Sequence, residues 1–219
     1  RVKSVLRRHR IPVPQGRLIR PEKDISRFAM HGKGPFFIKP CSEDASVGID
    51  DASLVRDADQ LPAVISRKRR AYKGTFIIED FIPGMEYNVG CLGEYPYTIV
   101  GISGIDYGHY QGMSPFLTYA AKWDVRSREY KQIQPQPGTK VATALRKKLI
   151  RYARQAGKIT GCRGYFRVDF RQKGADVYVI DVNPNPDINQ DSGYARQAYA
   201  RGWDYPYLIE RIVRCMREF

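Results

Sequence analysis

Two short segments in the last third of the chain put charged and amide side chains at alternating positions. Phe166-Arg167-Val168-Asp169-Phe170-Arg171 alternates strictly, and Val177 to Asn183 is a mostly apolar run that turns polar at Asp181 and Asn183. Alternation of this kind marks a strand with one buried face, and Gln172-Lys173-Gly174-Ala175-Asp176 supplies the turn of a hairpin over 165–182. Pairing Arg171 with Val177 sets Arg167 opposite Asp181 and leaves Asp169 diagonal to it. Phe166, Val168, Phe170, Tyr178, Ile180 and Val182 then form an apolar face. The other face offers hard oxygens from Asp169, Asp181 and Asn183 beside the Arg167 guanidinium. That combination suits Mg²⁺ held together with a phosphate chain, and two ions about 3.5–4 Å apart could be bridged by the carboxylates. An exposed hairpin face carrying a cross-strand ion pair explains the same pattern equally well.

The elements that must position these residues can be read along the chain. Lys3 to Arg10 reads as the last turns of a helix stopped by Pro12 and Pro14, as though the chain began inside a structural element. A strand over 17–20, a helix over 22–30 and the apolar run Pro35 to Pro40 follow, then the small, flexible segment Glu43 to Gly48. A helix over 59–71 carries Arg67-Lys68-Arg69-Arg70, which reads as a solvated face. Strands are expected over 75–78 and 86–92. The stretch 93–139, rich in Tyr, Gly, Pro and Gln, reads as a long functional loop region with one strand over 97–102. Val141, Ala144, Leu145, Leu149 and Tyr152 form one stripe of a helix over 140–156 that Gly157 ends, and a last amphipathic helix spans 205–216.

Composition bounds the rest. With 219 residues, 42% hydrophobic and 12% aromatic, the chain is globular, and no run of apolar residues approaches a membrane span. Cys41, Cys91, Cys162 and Cys215 are scattered, which indicates neither a zinc site nor a disulfide framework, and a reducing cytoplasm fits best. Lys and Arg number 37 against 23 Asp and Glu, a formal charge of +14, so anionic partners are favoured: nucleotide phosphates, carboxylates or nucleic acid.

Taken in order from Lys3 to Val213, the motifs resemble the ATP-grasp fold, and within it the D-alanine–D-alanine ligases. Ile38-Lys39-Pro40 with Glu43 to Gly48 is similar to the family's strand lysine and phosphate-covering loop. Glu79 to Glu86 is similar to its adenine-ribose segment. Arg167-Val168-Asp169 resembles its arginine and first metal ligand, Asp181-Val182-Asn183 its second metal pair, and Tyr119-Ala120-Ala121-Lys122-Trp123 the loop closing over the γ-phosphate.

The resemblance implies an α+β protein of two lobes with the nucleotide between them: 17–95 as the first lobe, 96–219 as the second, and 1–16 as the end of a preceding element or linker. It implies ATP and Mg²⁺, two ions with Mn²⁺ as an alternative. Lys39, Glu43, Ser46 and Gly48 would lie on the phosphates, and Glu79, Phe81, Ile82 and Glu86 on adenine and ribose. Asp169, Asp181 and Asn183 would hold the metal, with Arg167, Lys122 and Ser192 in the catalytic set. Each of these also has a plain reading: Lys39 snorkelling at a strand end, Glu79 and Glu86 at solvated strand ends, Lys122 merely exposed, Ser192 capping a helix that begins near Tyr194.

The implied activity is an ATP-dependent carboxylate–amine ligase acting through an acyl phosphate on amino-acid or peptide substrates, in the cytoplasm. A homodimer or a missing N-terminal domain would be its partner. An idle ATP-binding module is the alternative, and a basic nucleic-acid-binding domain ranks below both. Ala45, Trp123, Asp187, Gly193 and Asp181 depart from the family pattern, which makes an acceptor other than D-alanine the expectation.

Overall fold

Period-two alternation in short β-branched and aromatic runs, set against helices with one apolar stripe, builds two separate sheets with helices packed on them. The computed structural model describes residues 2–19, 34–43 and 45–217, with side chains to residue 215. The helix expected over 22–30 falls outside these residues. The chain divides into one unit of Pro14–Ile82 with Tyr107–Gln134 and another of Arg1–Val13, Pro83–Asp106 and Pro135–Phe219.

The first unit holds strands β1 (Gly16–Ile19), β2 (Phe36–Pro40), β3 (Leu54–Val55) and β4 (Phe76–Asp80), antiparallel in the order β1-β4-β2-β3. Phe36, Ile38, Phe76 and Ile78 point to one face and bury against Leu61 and Ile65 of helix α2 (Leu61–Ala71). Alternation therefore leaves Phe37, Lys39 and Glu79 on the opposite face. Two short helices, α3 (Tyr119–Trp123) and α4 (Arg128–Gln132), complete this unit, each N-capped by a hydroxyl, Thr118 and Ser127. The stretch expected to be mostly loop thus contains two helices.

The second unit holds β5 (Glu86–Gly93), β6 (Thr98–Ile105), β7 (Gln136–Pro137), β8 (Gly164–Lys173) and β9 (Asp176–Asn183), antiparallel in the order β7-β6-β5-β8-β9. Helices α1 (Val2–Arg8) and α5 (Thr143–Thr160) cover one face, burying Leu6, Leu149, Ala153 and Ala156 against Val89, Phe166, Val168 and Phe170. Helices α6 (Gly193–Ala200) and α7 (Tyr205–Arg217) join a second cluster on Leu92 and Val100.

Three expectations are corrected. β5 was assigned to the first lobe, yet it lies between β6 and β8 and shares their core, so the division falls at Pro83 and not at residue 95. The hairpin register also differs: Asp169 sits directly opposite Asp181, and Arg167 opposite Asn183. A bulge between Asp169 and Phe170 puts the extra residue, Ile180, in β9 and reverses the faces of its first half. Val177 and Val179 are therefore buried where Tyr178 and Ile180 were expected.

Lastly, α5 runs through Gly157 to Gly161, whose left-handed backbone (φ 72°) closes it. Gly157 is there for packing: a Cβ would lie 2.4 Å from Phe166 Cζ and 2.9 Å from Tyr97 Cε2. Phe166 is fully buried and cannot yield. Gly157→Ala should therefore lower stability by about 1–3 kcal/mol, against the rise of about 1 kcal/mol that helix propensity alone gives. Urea unfolding midpoints decide the sign.

Candidate active site

On the five-stranded sheet, β5 and β8 pair Glu86 with Arg171, Asn88 with Asp169 and Gly90 with Arg167, so these six share one face. Asp169 is clamped there. Arg167 donates Nε–H to Oδ1 at 2.7 Å and Nη2–H to Oδ2 at 2.8 Å, and Asn88 Nδ2 donates to Oδ1 at 2.9 Å. Such bidentate, charge-assisted pairing fixes both side chains. Burial opposes the charge on Arg167, but Asp169, with Glu86 and Asp181 behind it, outweighs that and holds its pKa above the ordinary guanidinium value.

Glu86 is 7% exposed and lies 3.6 Å from Arg171, whose Nη1 donates to the Gly84 carbonyl at 2.7 Å. Asp181 is exposed, and Asn183 Oδ1 accepts from the Asn185 N–H at 2.9 Å. The metal residues expected from the sequence are brought together on one face. Among the described residues, however, no three His, Cys, Asp or Glu side chains converge as a metal cage. The oxygen donors are two carboxylates and an amide, which suits a hard cation also liganded by phosphate or water.

Helix α6 is set on this sheet by Gln197, 1% exposed, whose Nε2 donates to the Asn88 carbonyl at 3.0 Å and to Ser103 Oγ at 2.7 Å. Gly90 and Gly101 make the slot, since a Cβ on either would lie 2.3 Å and 2.7 Å from Gln197 atoms. Ser192 is the helix N-cap, its Oγ accepting from the Ala195 N–H at 3.1 Å. The capping role is therefore realised, and the hydroxyl hydrogen remains a donor at a helix N-terminus, where a carboxylate is favoured.

In the first unit, Lys39 Nζ lies 3.8 Å from Glu79 Oε2, and Glu79 is 4% exposed. Glu79 is therefore not the solvated strand end that was its plain alternative. The Phe81 ring packs with Phe37 and Phe116, and its N–H donates to the Pro35 carbonyl at 2.9 Å; Ile82 is buried. Glu43 is exposed.

The loop around Ser46 and Gly48 is bound to the segment carrying Lys122. Ser46 Oγ donates to the Leu117 carbonyl at 3.1 Å, the Tyr119 N–H to the Ile49 carbonyl at 3.0 Å, and Trp123 Nε1 to the Ala45 carbonyl at 2.8 Å. Lys122 thus rides on a docked helix, not on a flexible loop. Two of the departures from the family pattern, Ala45 and Trp123, are bonded to each other.

A family model described as the C-terminus of D-ala D-ala ligase matches residues 16–214. The chain belongs to that family. It is 30% identical over 206 residues to the D-alanine–D-alanine ligase of Gluconobacter oxydans, covering 93% of this chain and 62% of that protein. It is also 27% identical to the uncharacterized protein y4sG of Sinorhizobium fredii, covering 96% and 60%. Among solved structures, the D-alanine–D-alanine ligase of Bacillus anthracis complexed with ATP superposes with a TM-score of 0.75 at 20% identity, over 99% of this chain and 64% of that one. VanG D-Ala:D-Ser ligase of Enterococcus faecalis gives 0.79 at 19%, over 98% and 60%. These likenesses show the ATP-grasp fold. The chain spans 54–65% of the length of the curated relatives it is compared with.

Within this D-ala D-ala ligase C-terminal family member, sequence reasoning missed Asn88, Arg171 and Gln197. The first had a signal, since Glu86 and Asn88 alternate in one strand just as Arg167 and Asp169 do in the other. Burial pushes the Cys91 thiol well up, with Cys162 adding to it, so Cys91 is not set up as a nucleophile.

The clamp on Asp169 predicts an asymmetry in stability. Asp169→Asn strips a partly buried guanidinium of its partner and should cost roughly 2–4 kcal/mol, a little under the range for sealed pairs because Arg167 keeps 21% of its side chain in water. Asp176→Asn, which removes an exposed contact 3.8 Å from Lys148, should cost less than about 1 kcal/mol. Urea unfolding of both variants is the measurement.

Proposed function

We propose that the chain is the nucleotide-binding and ligating portion of an ATP-dependent carboxylate–amine ligase. The observation that carries the reading is the charged face on β5, β8 and β9, where Arg167, Asp169, Asp181 and Asn183 stand together within a chain of this family. The reaction class is activation of a carboxylate as an acyl phosphate with ADP leaving, followed by attack of an amine to give an amide and phosphate.

Asp169, Asp181 and Asn183 would hold Mg²⁺, one ion or two, which supplies charge neutralisation to the phosphates. Lys39 and Lys122 would lie on the phosphate chain as point charges, since phosphoryl transfer needs positioning and charge stabilisation more than a covalent partner. Glu86, held by Arg171, would accept ribose hydroxyls, and Glu79 would meet the adenine. Arg167 would steady the oxyanion formed when the amine attacks. Ser192, donating from the α6 N-cap, would receive the carboxylate of the second substrate. A cytoplasmic setting, where ATP and Mg²⁺ are supplied, belongs to the same reading.

For the acceptor the reading favours an amine larger or more cationic than D-alanine. A Cβ at Gly193 meets nothing within 4 Å, so space is open there. Asp187 is exposed six residues earlier, with Oδ1 accepting from the Asn189 N–H at 2.9 Å.

Calorimetry should show Mg-dependent ATP binding, and a folded sample that gives no heat and no thermal shift refutes the reading. In an ADP-release assay with a panel of amino acids and short peptides, basic amino acids or peptides should outpace D-alanine. Asp181→Ala should reduce turnover at least about a hundredfold, some 2.7 kcal/mol, while Asp176→Ala in the hairpin turn stays near wild type; equal losses would remove Asp181 from the site.

A further inference from the structure

In Arg67-Lys68-Arg69-Arg70 the flanking Arg67 and Arg70 are exposed as a solvated helix face requires, but Lys68 is 2% exposed. Its ammonium donates to the Gly48 carbonyl at 2.9 Å and to Asp50 Oδ1 at 2.8 Å. The Asp50 side chain keeps 56% of its surface in water, so the pair is sealed on one side only. Burying an ammonium costs several kcal/mol, and an apolar side chain would fill the position without that cost. What the charge holds is the backbone at residues 48–50.

That backbone is demanding. Ala45 (φ 50°), Ser46 (φ 66°) and Gly48 (φ 73°) are all left-handed, a conformation that crowds the Cβ of any residue but glycine. At Gly48 a Cβ would also lie 2.6 Å from Pro40 Cγ, the residue that follows Lys39. Such a conformation persists only when its surroundings over-determine it. From above, the segment 117–123 ties Ala45, Ser46 and Ile49; from below, Lys68 ties Gly48 and Asp50. Successive N–H groups in a turn of this kind form an anion-binding concavity, and Ser46, Val47 and Gly48 supply three in a row.

We infer that Lys68 is a positioning residue for phosphate binding, its buried ammonium holding the Ser46–Gly48 turn in the shape that presents these N–H groups to the polyphosphate of a nucleotide. The inference rests on reading the chain as an ATP-dependent ligase. Lys68 touches no ligand; it acts through Gly48.

The test is calorimetric titration of wild type and Lys68→Met, in the longest available chain, with Mg-ATP, Mg-tripolyphosphate and adenosine. Lys68→Met should weaken Mg-ATP and tripolyphosphate at least tenfold and leave adenosine unchanged, with circular dichroism as for wild type. Lys68→Arg, which keeps the charge, should recover part of the loss. Unchanged Mg-ATP affinity in folded Lys68→Met overturns the inference, as does equal weakening of adenosine, which marks a general packing role. If Lys68→Met does not fold, Asp50→Ala carries the test. It removes one of the ammonium's two acceptors and should weaken Mg-ATP and tripolyphosphate severalfold without moving adenosine, and no change overturns the inference. A wild-type protein that binds no Mg-ATP refutes the ligase reading instead, so the two failures are distinct.

Discussion

The register between β5 and β8 is the constraint on which the site depends. Pairing Asn88 with Asp169 sends Glu86, Arg167, Asp169 and Arg171 to one face and Phe166, Val168 and Phe170, all fully buried, to the other. A slip of one residue would exchange the two sets and drive charges into the core under α5. The three apolar side chains, each contributing about 1.5–3 kcal/mol by burial, therefore specify where the charges stand. Within the charged face, Asp169 and Arg167 have little freedom left, because two guanidinium bonds and one amide bond fix the carboxylate. Rigid side chains on a rigid sheet are what a site for transferred charge requires.

Close approach of backbone does the same for the surrounding elements. Gly90 and Gly101 lack the Cβ atoms that would collide with Gln197, so α6 can lie against the sheet and its N-cap, Ser192, is located relative to Asn88 through one buried amide. Gly157 admits Phe166 against α5. In each case the glycine serves a neighbouring side chain, not a turn, which is why Gly157 was misread as a helix stop: a helix-ending glycine and a packing glycine look alike until the partner is known.

Most elements were legible because their periods are strong. β2, β4, β5, β8, α2 and α7 lie within a few residues of their expected bounds, and the metal-type residues share a face as alternation requires. What was not legible is non-local. The Ile180 bulge swaps the faces of half a strand and leaves no mark in the local pattern, since Val177, Tyr178, Val179 and Ile180 are all plausible core residues. Lys68 sits among three arginines, so only the position of Gly48 and Asp50 reveals that it points inward. The short α3 and α4 carry too few apolar residues for a period, and their hydroxyl caps, Thr118 and Ser127, are known only from the structure. Ser192 was readable in two ways, and the cap geometry leaves its hydroxyl hydrogen available, so the two ways are compatible.

The charge on the sheet face bears on how a polyphosphate would be received there. Arg167 and Arg171 stand with Glu86, Asp169 and Asp181, so the face carries a formal surplus of one negative charge despite the +14 of the whole chain. A phosphate oxygen about 4 Å from an unneutralised carboxylate is repelled by roughly 1–4 kcal/mol for effective dielectrics between 80 and 20. Arg167 is paired with Asp169 and Arg171 lies 3.6 Å from Glu86, so the surplus negative charge rests on Asp181. A hard divalent cation accepts carboxylate and phosphate oxygens at once, converting the repulsion into shared ligation. On the proposed reading, the face that disfavours a bare triphosphate would favour its Mg²⁺ complex, and nucleotide affinity would follow divalent-cation concentration through Asp169 and Asp181 rather than the chain's overall positive charge.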